Sequence, residues 1–453
     1  MKQLHTSKSV TISFIGAGSP TFTIDIFGDI CRSSCLFGSR VIFYDINQSR
    51  LAQVAKVCQK YSDQIRANIT VETKTSLVDA ITDADFVINS ALQGGWSANT
   101  DIAAEIKKET GIEGPIEAHA RFEQLNFLLT VAKEIEKHNP SATLIQCSNP
   151  VAEAGTIISR LTKVNFIGVC HGSKKMEQVF GLLGMKPDET ESIIAGINHN
   201  LRLLDFKHRG EDAYPRLKKW ADDVAPKYCK YVLAYLEGQD YQLSPAAFKM
   251  YKHFGLFPVG DTVRASQPHM HRWHKNFQLE QQLYGPVGGR DSRPGFIGKM
   301  NQRQQNSDGI ELAANGKIPV SDLFPEQYSE WQVIPIIVSM VTNVTSTQIV
   351  NITNNGAIPQ LPDHLIVELP AKINKSGISV EGPYLFPKKI VDEALMPHLS
   401  QIERHVTAFC NHDASLLVTQ ILQNQSVKSI SVAKKILNIW LKHDPNMKTY
   451  YNL

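Results

Sequence analysis

The chain has 453 residues, of which 42% are hydrophobic and 20% charged, and its formal net charge is +3. This composition is typical of a globular protein, and the length allows two or three domains with a large core. Because the net charge is close to neutral, it gives no support for nucleic acid or an anionic membrane surface as a partner.

The seven cysteines are odd in number and scattered along the chain. This distribution indicates reduced thiols rather than a disulfide framework. No apolar run approaches the roughly 18 residues that suggest a membrane span, and residues 1–10 lack the apolar core of a signal peptide. We therefore expect a soluble, cytoplasmic protein with no membrane and no nucleic acid as partner.

The first predicted strand, over residues 10–15, runs into a glycine turn, and a helical pattern begins at about residue 22. Glycines at such a turn let the backbone approach a ligand closely, and the free N–H groups of the helix favour negative charge. This pattern predicts a site for the pyrophosphate of a dinucleotide, although Thr21 replaces the third glycine of the usual motif. A strand–helix turn without a ligand is the alternative. The residues predicted to contact the cofactor here are Gly16, Gly18, Ser19 and Pro20.

Strands and helices then alternate through the first half of the chain. A second strand ends at Asp45, whose carboxylate would bind the ribose hydroxyls and repel the additional phosphate of NADP, so that NAD is the expected cofactor. Asn89 and Asn149 lie at the ends of later strands and are further predicted cofactor contacts. The alternation predicts an α/β fold with a Rossmann-like, doubly wound parallel sheet. The remaining predicted strands are 69–73, 84–91, 143–147 and 163–170, and the predicted helices are 48–64, 76–81 and 122–138.

From about residue 190 the character of the sequence changes. Aromatic and basic segments are followed by a stretch rich in proline and glycine, from 244 to 295, and then by mixed strands and helices. Without a clear linker, we expect the second half to pack on the first. The predicted domains are 1–195, which binds NAD, and 196–453, an α+β domain for substrate binding and oligomerisation. The whole would resemble the lactate and malate dehydrogenase frame.

Two motifs at predicted strand ends carry possible metal ligands. Cys170 precedes His171, and Asn198 precedes His199. Thiolate and imidazole suit a divalent transition metal, but a buried thiol and a hydrogen-bonded histidine in a core are the more common interpretation of such spacing. Further on, Asp261 lies in the Pro/Gly-rich stretch, which is either an active-site loop or a solvated turn.

Six segments, in this order, resemble glycoside hydrolase family four, whose members are glycosidases that depend on NAD and a divalent metal. The similarity extends from the first strand to about residue 370, and its strongest part, 243–264, resembles the α-glucosidase branch. The segments are Phe14-Ile-Gly-Ala-Gly-Ser, Asp85-Phe-Val-Ile-Asn, Ser148-Asn-Pro, Gly168-Val-Cys-His-Gly, Ala195-Gly-Ile-Asn-His and Gly260-Asp-Thr-Val-Arg.

The resemblance implies an unusual hydrolysis without net redox change. NAD oxidises the 3-hydroxyl of the sugar, a base removes the C2 proton, and the C1 substituent leaves; water then adds and the hydride returns. A metal such as manganese, held by Cys170 and His199, would act as a Lewis acid on the sugar oxygens. The family is generally dimeric or tetrameric, so a homodimer or homotetramer is expected.

The resemblance also assigns roles near the sugar. Asp261 is the expected base or hydroxyl-orienting residue, and His171 would assist the leaving group. Tyr241 lies close to where many family members have a tyrosine base, but the adjoining motif differs, and a loop tyrosine without a catalytic role is the alternative. The other residues expected to contact the sugar are Asn149, Asn198 and Arg264.

One departure from the α-glucosidases concerns charge. The segment 111–122 lacks their aspartate and contains His119 and Arg121, while Arg290 and Arg293 follow downstream. Because guanidinium pairs with carboxylate or sulfonate, an anionic sugar is expected, as in the similar NAD-dependent sulfoquinovosidases, with a uronide as the next choice. These arginines could instead bind NAD phosphates or form surface ion pairs. The alternative functions are a neutral α-glucosidase or α-galactosidase of the same mechanism, and a simple NAD-dependent sugar or hydroxy-acid dehydrogenase.

Overall fold

A computed structural model describes residues 9–112, 122–224, 242, 244–265, 277–284, 293–424 and 426–453. In these residues thirteen strands form one sheet. The strands are β1 (Thr11–Ile15), β2 (Arg40–Tyr44), β3 (Thr70–Lys74), β4 (Phe86–Asn89), β5 (Thr143–Gln146), β6 (Asn165–Gly168), β7 (Thr190–Ile197), β8 (Asn200–His208), β9 (Glu211–Asp212), β10 (Pro258–Val259), β11 (Ser346–Thr353), β12 (Ile366–Asn374) and β13 (Gly377–Val380).

The helices lie between and after these strands. They are α1 (Phe22–Arg32), α2 (Gln48–Ile65), α3 (Leu77–Ile81), α4 (Gly95–Thr110), α5 (Phe122–His138), α6 (Val151–Leu161), α7 (Met176–Leu182), α8 (Tyr214–Asp223), α9 (Pro245–Phe254), α10 (Thr262–Ala265), α11 (Phe277–Tyr284), α12 (Arg293–Ala314), α13 (Val333–Thr342), α14 (Lys388–Ile390), α15 (Met396–Asn411), α16 (Ala414–Leu422), α17 (Ile430–His443) and α18 (Asn446–Tyr450). None of the helices in the described ranges is long and apolar enough to cross a membrane.

The first half of the chain forms a parallel sheet with the strand order β3-β2-β1-β4-β5-β6. This order, 3-2-1-4-5-6, is that of the doubly wound dinucleotide-binding fold, in which ligands bind beyond the carboxyl ends of the strands. The predicted Rossmann-like sheet is therefore confirmed.

Helices cover both faces of this sheet because its strands bury alternate side chains on opposite sides. On β1, Phe14 packs into a core that includes Phe27 of α1 and Val54 of α2. The next residue, Ile15, belongs to a second core with Val131 of α5. Each of the five side chains named in these two cores is at most 1% exposed. The carboxyl edge of the strands is left for a ligand.

The second half continues the same sheet with antiparallel strands. β11 joins β6 through the pair Asn351 and Gly168, and β12 joins β7 through Glu368 and Gly196. The predicted domain boundary between residues 195 and 196 falls inside β7. This continuity brings the hairpin of β7 and β8 next to the carboxyl end of β6.

The stretch from residue 244 contains more helix than its prolines and glycines suggested. Helix α9 begins after Ser244, whose Oγ accepts a hydrogen bond from the backbone N–H of Ala247, and Pro245 lies in its first turn, where proline is well tolerated. Gly255, with φ of 80°, ends the helix. Helix α4, strand β8 and helix α12 likewise have no counterpart in the sequence prediction. Each packs on an element far away in sequence or pairs with a neighbouring strand: α4 on α17, α12 on α2, and β8 on β7.

Candidate functional site

The glycine turn follows β1 and leaves little space for a side chain at either glycine. Gly16 has φ of 91°, and a Cβ there would lie 2.6 Å from the backbone nitrogen of Ala91. A Cβ on Gly18 would lie 2.7 Å from Oδ2 of Asp45. The backbone of this turn is therefore packed between the ends of β2 and β4, with no room for a side chain.

Asp45 joins the same turn through its carboxylate. The backbone N–H of Gly18 donates to Oδ2 at 2.9 Å, and that of Asn47 donates to Oδ1 at 2.8 Å. A carboxylate has about four acceptor positions, so Asp45 can still accept hydrogen bonds from ribose hydroxyls. Ile46, which the sequence prediction missed, is 81% exposed beside it and offers an apolar surface at the same edge.

Helix α1 starts directly after the turn, and the missing third glycine has a structural explanation. Thr21 is the N-cap residue but makes no side-chain cap hydrogen bond. Its Oγ1 instead accepts from Nδ2 of Asn306 on α12, at 2.7 Å. Ser19 and Pro20 are half-buried in the turn. The Thr21 hydroxyl thus connects the start of α1 to the second half of the chain.

The two asparagines predicted to contact the cofactor lie in different surroundings. Asn89 is fully buried; its Nδ2 donates to Oε1 of Gln146, and its Oδ1 accepts from the N–H of Ala91. It therefore connects the ends of β4 and β5. Asn149 is half-buried at the carboxyl end of β5, after Ser148. Their contacts with a cofactor stay predictions.

Cys170 and His199 lie at the ends of β6 and β7, two strands that are separated in the sheet by β11 and β12. Cys170 follows β6 and is 8% exposed. His199 occupies the two-residue turn between β7 and β8 with a left-handed φ of 62°, which histidine adopts more readily than most residues. The turn places its imidazole beside Asp261, with 3.5 Å between Nε2 and Oδ2.

Asp261 reaches this place because its loop packs on the turn after β6. Gly260 has φ of 58°, and a Cβ there would lie 2.5 Å from the carbonyl oxygen of Gly172. In turn, a Cβ on Gly172 would lie 3.5 Å from the backbone nitrogen of Asp261 and 3.8 Å from Sγ of Cys170. The predicted active-site loop and the predicted metal-binding motif are thus in direct contact.

Gln242 holds the loop of Asp261 in position, a role that sequence reasoning missed. It is 1% exposed; its Nε2 donates to the carbonyl of Pro258 at 2.7 Å, and its Oε1 accepts from the N–H of Gly260 at 2.6 Å. No sequence pattern distinguishes such a glutamine from a surface one.

Glu368 is another residue that the sequence prediction missed. It is fully buried on β12, and its Oε2 accepts from Nδ2 of Asn198 at 2.8 Å. Its Oε1 has no hydrogen-bond partner among the residues that the structure describes. Burial raises the pKa of Glu368 to about 7. A carboxylate inside the apolar segment Val367-Glu368-Leu369 is the signal that could have revealed it. We call Cys170, Asn198, His199, Asp261 and Glu368 the strand-end cluster.

The chemistry of the strand-end cluster suits a cation. Burial raises the pKa of the Cys170 thiol well above its usual value, and the nearby carboxylates of Glu368 and Asp261 raise it further. A metal ion would reverse this, because it stabilises the thiolate. Within the described ranges, no group of three or more His, Cys, Asp or Glu side chains is arranged to hold a metal. Thiolate and imidazole suit such a cation, and metal binding by Cys170 and His199 stays a prediction.

Of the remaining predicted residues, two lie on described helices. Arg264 lies in the short helix α10, and Arg293 begins helix α12. The others lie outside the described residues, and their roles stay predictions; they are His119, Arg121, Tyr241 and Arg290.

Comparison with known proteins gives matches along almost the whole chain. Residues 11–185 match the model of family 4 glycosyl hydrolases, and residues 194–427 match that of the family 4 glycosyl hydrolase C-terminal domain. An α-galactosidase of Bacillus subtilis is 26% identical over 377 residues, which cover 81% of this chain and 82% of that protein. An α-glucosidase of Erwinia rhapontici is 27% identical over 385 residues, covering 81% and 83%.

The fold also matches solved structures. A 6-phospho-α-glucosidase from gut microorganisms, solved in complex with NAD and Mn²⁺, has a TM-score of 0.78 and 17% identity over 97% of this chain and 99% of that one. At this identity the likeness concerns the fold.

Proposed function

The chain belongs to glycosyl hydrolase family 4 and is a glycosidase; from this premise we propose that it hydrolyses an α-glycoside with the help of NAD and manganese. The observation that carries the proposal is the contact between the Asp261 loop and the Cys170 turn at the carboxyl edge of a Rossmann-like sheet. The glycosidases named among its relatives and the cofactors of the solved 6-phospho-α-glucosidase support it.

The proposal assigns residues to both cofactors. Gly16, Gly18 and Asp45 would hold the dinucleotide, and Cys170 and His199 would hold the metal. Bound NAD would take a hydride from the sugar and return it within one turnover, while bound manganese would polarise the sugar oxygens.

The side chains of the chain itself would handle the protons and the orientation of the sugar. The Asp261 carboxylate, beside His199, would accept the C2 proton or hold a sugar hydroxyl. Tyr241 is the other candidate base. Asn149 and Asn198 would orient the sugar, and the His171 imidazole would assist departure of the C1 oxygen.

The substrate is the finer part of the proposal. The names of the two curated relatives favour a neutral α-galactoside or α-glucoside. An anionic sugar, first a sulfoquinovoside and then a uronide, remains a prediction from the arginines Arg121, Arg290 and Arg293. It requires these guanidinium groups to reach the C6 substituent of the sugar.

One panel of substrates tests the function and the choice of sugar. The 4-nitrophenyl α-glycosides of glucose, galactose, glucuronic acid, galacturonic acid and sulfoquinovose would be incubated with NAD, with and without Mn²⁺. We expect release of nitrophenol that depends on NAD and exchange of the C2 hydrogen with solvent deuterium. Hydrolysis without NAD and without exchange would contradict the mechanism.

The panel also separates the alternative functions. A simple dehydrogenase would accumulate NADH in proportion to the sugar or acid consumed, whereas the proposed enzyme returns the hydride. If substitution of Arg121, Arg290 or Arg293 by a neutral residue leaves any preference for charged sugars unchanged in all three variants, the anionic-sugar prediction is wrong.

A further inference from the structure

One segment from the second half of the chain contacts both the nucleotide-type helix and the strand-end cluster. It comprises residues 326–332, just before α13, and we call it the bridging segment. On one side it binds α1: the N–H and Oγ of Ser329 donate to the two carboxylate oxygens of Asp29, at 2.9 and 2.5 Å. The Tyr328 hydroxyl donates to the carbonyl of Arg32 at 3.0 Å. Because Asp29 is only 1% exposed, this side of the segment is firmly held.

On its other side the bridging segment contacts the turn after β6. Nε2 of Gln332 donates to the carbonyl oxygen of Cys170 at 3.3 Å, and its Oε1 accepts from the N–H of Ile349 at 2.7 Å. Gln332 is only 3% exposed, so these bonds have little competition from water. Lys175, at the end of the same turn, pairs with Glu330 at 2.8 Å.

Trp331 lies between the two sides. Its ring meets that of Phe22, the first residue of α1, with centroids 4.9 Å apart and an interplanar angle of 79°. It also meets the imidazole of His171, with centroids 4.8 Å apart and an angle of 51°. Aromatic pairs at such distances are directional, so the indole restricts where His171 can turn.

We propose that Trp331 is a positioning residue for His171 and that the bridging segment couples the first turn of α1 to the Cys170–His171 turn. This rests on the proposed function, in which α1 faces the dinucleotide and His171 assists the leaving group. A nucleotide that orders the start of α1 acts on Phe22, and through Trp331 on the imidazole. Gln332 and Ser329 keep the segment in place at its two ends.

The first test separates positioning from general packing. Trp331→Leu removes the aromatic contacts, and Trp331→Phe keeps a ring. Trp440→Leu is the control for loss of a half-buried tryptophan on another element, α17, which packs on α4 and α16. We expect Trp331→Leu to lower kcat by about 10²-fold with KM nearly unchanged, since small misplacement of a reacting group has effects of this size. Trp331→Phe should recover most of kcat, and Trp440→Leu should keep it, at similar melting temperatures of the two leucine variants.

The second test does not need turnover. In protein labelled with ¹³C on the histidine rings and stripped of nucleotide, the His171 signal is identified by its loss in His171→Gln. ADP-ribose, which has the pyrophosphate but no nicotinamide ring, should shift this signal in the wild type and not in Trp331→Leu.

The inference is overturned if the kcat of Trp331→Leu is no lower than that of Trp440→Leu. It is also overturned if the His171 signal responds to ADP-ribose equally in the wild type and in Trp331→Leu. A wild type whose His171 signal ignores ADP-ribose overturns it as well. If the wild type cleaves no glycoside of the panel, the proposed function fails instead, and the labelled histidine decides the inference alone.

Discussion

The glycine turn and the strand-end cluster lie at the same edge of the sheet but are built differently. The turn is made of backbone from a single stretch of chain, and a Cβ on Gly16 or Gly18 would lie only 2.6 Å from Ala91 or 2.7 Å from Asp45. The strand-end cluster is made of side chains from four separate segments that meet only after β7, β10 and β12 are in place. The glycine turn should therefore be sensitive to substitutions within its own few residues. The strand-end cluster should be sensitive to any change that moves one of the four segments carrying its side chains.

The largest expected effect comes from removing a charge in the strand-end cluster. Asp261→Asn should lower kcat by about 10²–10⁴-fold, the usual contribution of a positioned acid or base, with the affinity for NAD unchanged. Steady-state kinetics and NAD titration would measure this, with Asp363→Asn, an exposed carboxylate on the surface, as the control. Equal activity of the two variants would exclude Asp261 as the base.

Gly16→Ala should damage the glycine turn through its backbone. An alanine at positive φ costs about 1–2 kcal/mol, and the contact with Ala91 adds overpacking of about 1–3 kcal/mol. Gly210→Ala is the matched control, since Gly210 also has positive φ, of 82°, but nothing within 4 Å of its Cβ position. Denaturant unfolding should show a larger loss of stability for Gly16→Ala, together with weaker NAD binding. Equal losses of stability in the two variants would mean that the close contact with Ala91 adds nothing to the cost of positive φ.

A pH effect should appear where α1 meets the second half of the chain. Burial raises the pKa of Asp25 from 3.8 to about 6. The negative charges of Asp29 and Glu330 add to this rise, and the positive charge of Arg32 opposes it. The fold is therefore most stable with Asp25 protonated: this stabilisation is fully present below pH about 4 and is lost as the pH rises through 6. Asp25→Asn should gain about 1–2 kcal/mol over the wild type at pH 8, after a discount for partial exposure, and nothing at pH 4. A constant difference between pH 4 and 8 in urea unfolding would contradict this, and Asp363→Asn is again the control.

The smallest effect is expected at the outer edge of the parallel sheet. Hydrogen bonds from Arg40 lower the pKa of Glu72 to about 2, so the stabilising contribution of this pair is present above pH about 4.5 and is lost as pH falls through 2. Because both side chains are about one third exposed, Glu72→Gln should cost no more than about 1 kcal/mol at pH 7. Thermal unfolding of this variant and of Glu311→Gln, an exposed control, would measure it; a loss of several kcal/mol would show that the edge is more tightly coupled to the core than its exposure indicates.

Much of the first half could be predicted from the sequence because its information is local. Helix α5 begins and ends at the predicted residues, and β2 and β5 differ from prediction by one residue at their carboxyl ends. Period-two and period-3.6 patterns identify such elements directly. The position of Asp45 at the end of β2 was also predicted from a known pattern, and the structure shows that its carboxylate accepts from Gly18.

The second half was harder because its elements depend on distant partners. Strand β8 contains the basic residue Arg202, which is fully buried between neighbouring strands and against Phe254, and no local pattern predicts a buried arginine in a strand. Helix α9 was not predicted because Pro245, in its first turn, was interpreted as part of a loop. Gln242 and Glu368 were missed because they act through hydrogen bonds to residues far away in sequence.

By itself the sequence determined the cofactor-type turn, the parallel sheet and the family, since each rests on residues that act through their own backbone or their immediate neighbours. Only the tertiary structure decided that Asp261 lies beside His199, that Gln242 holds its loop, and that Trp331 connects α1 to His171. Contacts between side chains from separate segments depend on how strands are ordered in the sheet. That order is set by burial and pairing over the whole chain rather than by any one stretch of it.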